Sequence, residues 1–333
     1  MPTLEAKSNE ESGMLLRELF YGPPKTRKTW LAGTAAEAGF NVILIDTDHG
    51  YHILTKQLSD AAKKRLMIFE ARDSLKKATA CEFMTRFLKN GRVFFNEETK
   101  TIVPLINNCN EHCVELNAER HLNPTTVLIL DSYTALVSSL QFRYAIENNV
   151  DLTDPDKTDW EGYGWTGRLA SWMVERITKL PCHIIMIGHS TVYEKRSKDG
   201  KKIEWVRRQI KSTSGPHSMT IGDKFSDILF FENVSSVVTK IYAQADKDAE
   251  GGSRIIPPQV YDWGQLTFAN ICKAAGIALP SKDLPYLDFT PQQPQSVGGV
   301  IPGKQTAPQT KKHTIQSSGK PVTLSGIPGL VTK

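Results

Sequence analysis

Residues 15–30, LLRELFYGPPKTRKTW, constrain the fold of this chain more than any other segment. An apolar run of strand length breaks at Gly22, and the helix-forming segment after the break contains Lys28 and Thr29. A strand, a glycine-containing loop and a helix in this order are typical of a P-loop, whose backbone N–H groups and helix N-terminus hold phosphates. The lysine then contacts the outer phosphates and the threonine hydroxyl binds Mg²⁺. An ordinary turn between a strand and a helix is the alternative.

One position departs from the usual pattern G-x-x-x-x-G-K-[ST]. Arg27 stands where a glycine precedes the lysine, and glycine there lets the backbone turn tightly against the phosphates, if necessary at positive φ. An arginine held in that conformation costs about 1–3 kcal/mol. The loop is therefore weakened, inactive or helped by an additional positive charge. The residues expected to contact ATP are Gly22, Pro23, Pro24, Lys25, Thr26, Arg27, Lys28, Thr29 and Trp30.

Two further apolar runs end in carboxylates. The run at 41–46 ends in Asp46 and is followed by Asp48, and the run within 125–137 ends in Asp131. Because parallel α/β sheets bind ligands beyond the carboxyl ends of their strands, we expect Asp48 to polarise the attacking water and Asp131 to bind Mg²⁺ with Thr29. Helix caps or turn formers remain the alternative for the first two aspartates.

A third apolar run, residues 181–190, ends in the polar His189 and leads into a basic segment, residues 191–211. This segment alternates around an Asp-Gly turn and holds eight Lys/Arg against three Asp/Glu, with two interleaved aromatic residues. Basic groups follow a phosphate backbone and aromatics stack on unpaired bases, so it is predicted to bind single-stranded DNA. A plain strand end and a solvated surface hairpin are the alternatives. The residues expected to contact DNA are Lys195, Arg196, Lys201, Lys202, Trp205, Arg207, Arg208 and Lys211.

The composition limits the class of protein. A chain of 333 residues with 40% hydrophobic content builds one large domain or two small ones. The net charge of +5 permits nucleic-acid binding without requiring it. No apolar run approaches the roughly 20 residues that span a bilayer, and the first 13 residues are polar. We therefore expect a cytoplasmic protein with no membrane partner.

Two cysteines and two histidines cluster in one segment, at Cys109, His112, Cys113 and His121. Their spacing matches no common zinc module, and a helix that carries Cys and His at i, i+3 and i+4 explains it as well. The odd total of five cysteines favours a reducing compartment. Free thiols are expected here, and a metal site is the alternative.

The domain prediction has three parts. Residues 1–13 form a flexible N-terminus, residues 14–279 an α/β ATPase domain, and residues 280–333 a disordered tail rich in Pro, Gln, Ser and Lys. Within the domain, residues 141–168 are expected to form a long loop that is functional or mobile. The tail either recruits partners or nucleic acid, or keeps the protein in solution.

The motifs together resemble the RecA-type ATPase core. YGPPKTRKT resembles its Walker A motif, LILDSYTAL its Walker B motif, ILIDTDHGY the segment of the catalytic carboxylate, and IMIGHS the γ-phosphate sensor. The family has Glu where this chain has Asp48 and usually Gln where it has His189. The resemblance implies a mostly parallel central sheet flanked by helices, and the segments 141–168 and 191–211 correspond to the two DNA-binding loops of the family.

Within this superfamily the chain is most similar to phage-encoded, RecA-like single-strand annealing ATPases of the Sak type. The resemblance implies ATP and Mg²⁺ as cofactors, and homo-oligomeric rings or filaments with ATP at subunit interfaces. A neighbouring subunit would supply a basic finger, for which the candidates are Lys240, Lys247 and Arg254. The tail is a candidate contact for a single-strand DNA-binding protein.

These expectations lead to one function and two alternatives. The first is an ATP-dependent, single-stranded DNA-binding recombination protein that promotes annealing or strand exchange, with Lys28, Asp48 and His189 in the catalytic roles. The second is a RecA-shaped scaffold that binds DNA without hydrolysing ATP, because Arg27 blocks or replaces productive nucleotide. The third is a RecA-fold ATPase that acts with a helicase as a loader.

Overall fold

The computed structural model describes residues 14–74, 76–151, 160–197, 203–235, 238–245 and 248–292. The predicted N-terminal segment, the tip of the basic hairpin and the tail from residue 293 lie outside these ranges. In chain order the strands are β1 (Arg17–Gly22), β2 (Asn41–Asp46), β3 (Leu66–Glu70), β4 (Arg92–Asn96), β5 (Thr101–Val103), β6 (Cys113–Asn117), β7 (Thr126–Asp131), β8 (His183–Arg196), β9 (Ile203–Ile210), β10 (Asp227–Asn233), β11 (Thr239–Tyr242), β12 (Gly252–Ser253) and β13 (Val260–Asp262). The α-helices are α1 (Lys28–Glu37), α2 (His52–Gln57), α3 (Asp60–Lys63), α4 (Thr79–Asn90), α5 (Ala118–His121), α6 (Tyr133–Asn148), α7 (Trp160–Ile177), α8 (Gly215–Ile221) and α9 (Phe268–Ala274), and two 3₁₀ turns cover Ile106–Asn108 and Gly222–Lys224.

The main sheet has the order β13-β11-β10-β1-β8-β7-β2-β3, with β9 paired to β8 and β12 paired to β10. The strands from β10 to β3 run parallel to their neighbours, and the remaining strands pair antiparallel. The parallel strands β2 and β7 are buried along their whole length, which explains why they are continuous apolar runs in the sequence. The predicted fold class, a mostly parallel central sheet flanked by helices, is confirmed.

Helices cover both faces of this sheet. On one face, α1 and α9 contribute Leu31 and Phe268 to a core shared with α2 and α3. On the other face, α4 and α6 contribute Phe83 and Leu140 to a core that also includes α7. Because both faces are covered, ligands reach the parallel strands at their ends.

The prediction of a helix across the Cys/His cluster is wrong. Cys113 begins β6, which pairs with β4 in a small antiparallel sheet, β5-β4-β6. The backbone groups of β4 need partners on both sides, a requirement that side-chain spacing does not reveal. His121 accepts a hydrogen bond at Nδ1 from the Asn117 N–H and donates from Nε2 to the Asp288 carbonyl. Neither ring nitrogen is free for a metal, and all five cysteines are free thiols.

The expected long loop at 141–168 is largely helical. α6 continues to Asn148, and α7 begins at Trp160. Both helices bury apolar side chains against the sheet, among them Leu140 and Met173, so tertiary packing outweighs the Asp, Gly and Asn that indicated a loop. Residues 152–159 lie outside the described part of the chain.

Residues 282–292 make ordered contacts beyond the predicted domain boundary at 279. Arg65 Nη2 donates to the Leu284 carbonyl at 3.1 Å, and the Glu115 N–H donates to the Phe289 carbonyl at 2.8 Å. The Phe289 ring also packs against the core. The polar composition of this segment concealed these few apolar anchors.

A buried carboxyl group lies between two strands of the main sheet. Glu18 on β1 is in register with Asp227 on β10, and both are buried. Asp227 Oδ1 accepts the Arg254 N–H at 2.8 Å, which stabilises its charge. Burial, and next the Asp227 carboxylate, raise the pKa of Glu18 well above its ordinary value of 4.5. Glu18 is therefore protonated in the folded protein over a pH range in which the unfolded chain has lost that proton.

Glu18→Gln should flatten the pH dependence of stability. An acid whose pKa is raised by folding stabilises the fold fully below its unfolded pKa, and this contribution is lost by about 1.4 kcal/mol per pH unit as the pH rises toward its folded pKa. Thermal unfolding between about pH 5 and pH 8 should therefore show the wild-type Tm falling relative to the variant. Glu97→Gln, at an exposed position, is the control and should run parallel to wild type. Parallel curves for both variants would contradict the prediction.

Candidate nucleotide-binding site

Three strands end at one edge of the main sheet, and a fourth strand, β8, passes through it. Gly22 at the end of β1 is in register with His189 on β8, and Asp46 at the end of β2 is in register with Asp131 at the end of β7. β8 lies between β1 and β7. The structure thus brings together the ends of β1, β2 and β7, which carry the predicted loop and carboxylates, and the predicted sensor His189 on β8.

Lys28 closes the loop after β1. Its ammonium donates to the carbonyl oxygens of Pro23 at 2.7 Å and Gly22 at 3.1 Å, and to Thr26 Oγ1 at 3.1 Å. Burial lowers the pKa of Lys28 to about 8, and the Asp131 carboxylate acts in the opposite direction. A phosphate oxygen is a stronger, charged acceptor than a carbonyl. Lys28 can therefore exchange loop carbonyls for a phosphate group.

Arg27 has φ 66° and ψ 18°, the left-handed conformation that the missing glycine predicts. Its guanidinium lies 3.9 Å from the centre of the Trp263 ring, and that ring lies 5.3 Å from the Trp30 ring. Cation–π contacts contribute about 0.5–2 kcal/mol, which is comparable with the strain. The stack therefore offsets much of the cost of Arg27 in the loop.

Thr29 and Asp131 form the centre of the expected metal site. Thr29 Oγ1 donates to Asp131 Oδ2 at 2.5 Å. Burial raises the pKa of Asp131 to about 6, opposed by the hydrogen bond from Thr29. A hydroxyl and a carboxylate are oxygen ligands of the kind that Mg²⁺ prefers.

Two glycines keep space open around these groups. A Cβ at Gly22 would lie 2.2 Å from the Phe231 carbonyl oxygen, so no other residue fits there without displacing β10. A Cβ at Gly50 would lie 3.3 Å from Asp131 Oδ2 and 3.6 Å from Thr29 Oγ1. Gly50 thus leaves free the volume beside the two expected Mg²⁺ ligands.

Asp48, which follows β2, and His189, which lies within β8, form a pair. His189 Nε2 donates to Asp48 Oδ2 at 2.8 Å, and this hydrogen bond is the main reason that the pKa of Asp48 is lowered. Asp46 instead accepts the N–H groups of Asp48 and Gly50 at 3.2 Å each. Asp46 is therefore a turn-forming residue, whereas the ionised carboxylate of Asp48 is available for a water molecule.

A second group of potential ligands lies behind this pair. Asp46, His49 and Glu70 place one ligand atom each within 4.8 Å of one another. Glu70 is already ion-paired with Arg72 and, at 3.3 Å, with Lys100. Since side chains neutralise this carboxylate, we assign no metal to the group.

The predicted DNA-binding residues are distributed along β8 and β9. Lys195 and Arg196 lie on β8 and Trp205 on β9, whereas Lys201 and Lys202 lie outside the described residues. The remaining three differ in their partners. Arg207 pairs with Glu250 at 2.9 Å and Arg208 with Glu232 at 2.7 Å, whereas Lys211 is exposed and has no carboxylate within 4.0 Å among the described residues.

The three candidate trans fingers also differ. Lys240 is ion-paired with Asp262 at 3.2 Å. Arg254 is exposed, and its backbone N–H is held by Asp227. Lys247 lies outside the described part of the chain. Arg254 is therefore the candidate with the freest side chain, and its role stays a prediction.

The residues present fit ATP and Mg²⁺. The first turn of α1 has no side-chain cap, so its N–H groups are free to face an anion. Lys28 would hold outer phosphates, and Thr29 with Asp131 would hold the metal in the space that Gly50 leaves. Bound Mg²⁺ would neutralise charge on the phosphates, and Asp48 would orient the water.

The segment that carries these motifs matches a known protein family. The family profile described as AAA domain covers residues 16–255. The chain belongs to the AAA domain family. No curated protein matches this AAA domain protein. The crystal structure of the RadB recombinase shares 16% identity with it over 75% of this chain and 87% of that chain, with a TM-score of 0.37.

Membership in the AAA domain family and the converging motifs support the coarser part of the resemblance, a RecA-like P-loop ATPase fold. The Sak-type assignment is finer and remains a proposal. Among the described residues of this AAA domain protein, no helix combines the length and the apolar character needed to cross a membrane.

Sequence reasoning missed Trp263 and Gly50. Trp263 lies more than two hundred residues from Arg27 in the chain, and it reaches the loop through the pairing of β13 with β11. No local signal reports that contact. Gly50 stands in the sequence four residues after Asp46, and its role depends on the register of β2 with β7.

A double-mutant cycle should detect the stack of Arg27 on Trp263. Arg27→Gly removes strain and stack together, while Trp263→Ala removes the stack and the contact with the Trp30 ring. In denaturant unfolding we expect a coupling of about 0.5–1 kcal/mol between the two positions. Lys25→Gly is the control, because Lys25 also has a positive φ of 63°, whereas the cation that stacks on Trp263 belongs to Arg27. Additive effects of Arg27→Gly and Trp263→Ala would contradict the prediction.

Proposed function

We propose that this protein is an ATP-dependent, single-stranded DNA-binding recombination protein that promotes annealing or strand exchange. It works as a homo-oligomer, a ring or filament, in the cytoplasm of a bacterial host, as a phage-encoded protein of the Sak type. The C-terminal tail, predicted at residues 280–333, is the proposed contact for a single-strand DNA-binding protein. ATP hydrolysis sets how long the protein stays on DNA.

One observation carries this proposal. β8 runs without interruption from the nucleotide site, where His189 contacts Asp48, to Arg196 in the basic hairpin. The Lys211 N–H, at the other end of the hairpin, donates to the His189 carbonyl at 2.7 Å. A change at the γ-phosphate that moves His189 therefore moves both arms of the hairpin.

The site residues divide the work. Lys28 and the loop N–H groups bind the phosphates, while Thr29 and Asp131 bind Mg²⁺. Asp48 orients the attacking water. His189 senses the γ-phosphate, because its Nε2–H can donate to a phosphate oxygen instead of to Asp48. Loss of the γ-phosphate returns His189 to Asp48 and relaxes the hairpin.

A non-hydrolysing DNA-binding scaffold is the second candidate, and Arg27 is the observation that favours it. Arg27 has a left-handed backbone, and its bulky side chain stands where the usual P-loop pattern has a glycine. Lys28 is at the same time fully occupied by loop oxygens. If Arg27 stayed on Trp263 and blocked the α1 N-terminus, the protein would keep the shape of the ATPase without its turnover.

His189 should couple nucleotide to DNA. We expect single-stranded DNA affinity to change at least about fivefold between ATP-bound and nucleotide-free wild type, a coupling of about 1 kcal/mol. His189→Ala should remove this difference, and His189→Gln should keep part of it because glutamine also donates a hydrogen bond. Fluorescence anisotropy of labelled oligo(dT) measures both states. An undiminished nucleotide effect in His189→Ala would contradict the coupling.

The hairpin should account for part of the salt dependence of DNA binding. Replacing Arg207, Arg208 and Lys211 together by Ala should reduce the slope of log K against log salt by about 0.7 for each phosphate that the variant no longer neutralises. The reduction should fall short of the value for three phosphates, because Glu250 and Glu232 compete for the arginines.

The control for the hairpin variant removes three exposed lysines that lie outside the hairpin: Lys56, Lys64 and Lys273. It changes the net charge equally. Equal slopes for the hairpin and control variants would leave the hairpin as a solvated surface element.

A further inference from the structure

A basic cavity of about 430 Å³ lies on the face of the molecule formed by α4 and α6. We call it the α4 groove, and it is defined by the turn before α4, by α4 itself and by α6. Its cations come from all three of these elements. The charged residues that line it are Lys76, Lys77, Arg86, Lys89 and Arg143, with Glu82 and Glu147.

The carboxylates neutralise only part of this charge. Glu82 binds Lys77 at 3.3 Å and Arg86 at 2.8 Å. Glu147 binds Arg143 at 2.7 Å. Lys76 and Lys89 are exposed, and neither has a carboxylate within 4.0 Å among the residues that the structure describes. The α4 groove therefore carries an excess of three positive charges.

An aromatic wall adjoins these cations. A second cavity of about 330 Å³ shares Lys89 and Arg143 with the α4 groove, and its opposite side includes Trp165 and Trp172 from α7. Both indole rings are only partly buried. Arg168, one turn from Trp165 on the same helix, lines this second cavity as well.

The arrangement differs from an ordinary solvated helix face. α4 buries Phe83 and Phe87 on one side and turns Arg86 and Lys89, one helical turn apart, toward the cavity. Charges on a solvated face usually stand apart on a convex surface. Here cations of separate elements converge on one concave surface that ends at two indoles, and this combination fits a polyanion with stackable rings.

We propose that the α4 groove and its aromatic wall form a binding site for single-stranded DNA, separate from the β8–β9 hairpin. Phosphates lie along Lys76 and Lys89, and unpaired bases stack on Trp165. The choice of DNA as the polyanion rests on the proposed function. Annealing needs two strands held on one assembly, and the α4 groove supplies a place for the second strand.

The test uses the full chain and a fluorescein-labelled oligo(dT), with anisotropy measured over a range of salt concentrations. The groove variant is Lys76→Ala with Lys89→Ala. Both side chains are exposed and neither forms an ion pair among the described residues, so the fold should be unaffected. The control is Lys56→Ala with Lys64→Ala, which removes the same charge from α2 and the end of α3 on the opposite face.

We expect the groove variant to bind at least about fivefold more weakly at low salt, with a slope of log K against log salt reduced by about 1.4, which corresponds to two phosphate contacts. The control should match wild type. Charge reversal, Lys76→Glu with Lys89→Glu, should strengthen the effect. A melting curve of each variant checks that the fold is retained.

Each other outcome overturns the proposal in a distinguishable way. If the hairpin variant loses binding while the groove variant behaves like its control, the α4 groove is not a DNA site and the proposed function stands. If wild type binds no oligo(dT), both fail. If duplex DNA or inorganic polyphosphate competes as well as single strands do, the groove is a general polyanion site and the stacking on Trp165 is refuted.

Discussion

The parallel pairing of four buried strands is the constraint on which the rest of this structure depends. Register alone places Gly22 beside His189 and Asp46 beside Asp131. These residues are far apart in sequence, and the proposed ATP site needs all of them in one place. A one-residue slip of a strand would turn its terminal side chain to the opposite face of the sheet. The helices on both faces hold that register by burying the strands between them.

Arg27 shows how one departure from a motif is accommodated. The arginine takes the backbone conformation that glycine would take, at a cost of about 1–3 kcal/mol. Its guanidinium lies on Trp263. A residue that follows the edge strand β13 therefore stabilises the loop that follows the inner strand β1. Arg27 also adds a positive charge beside the α1 N-terminus. Whether this charge assists phosphate binding or obstructs it separates the two candidate functions.

The sequence predicted the parts of the site that local patterns encode. Continuous apolar runs located β2 and β7, and the Lys28–Thr29 pair located the start of α1. Contacts that depend on tertiary structure were not predictable in this way. The pairing of Cys113 with β4 converted an expected helix into a strand. The ion pairs of Arg207 and Arg208 with glutamates on other segments weaken a charge argument that counted only the hairpin itself.

The central claim is that the assembled loop hydrolyses ATP in response to DNA. The most direct measurement is steady-state ATP hydrolysis by purified protein, with and without single-stranded DNA, beside Lys28→Ala. The account predicts turnover that rises with DNA and disappears in the variant, since Lys28 is the buried cation of the loop. Absence of turnover in wild type, with DNA binding that is intact and indifferent to ATP, would contradict it and identify the non-hydrolysing scaffold.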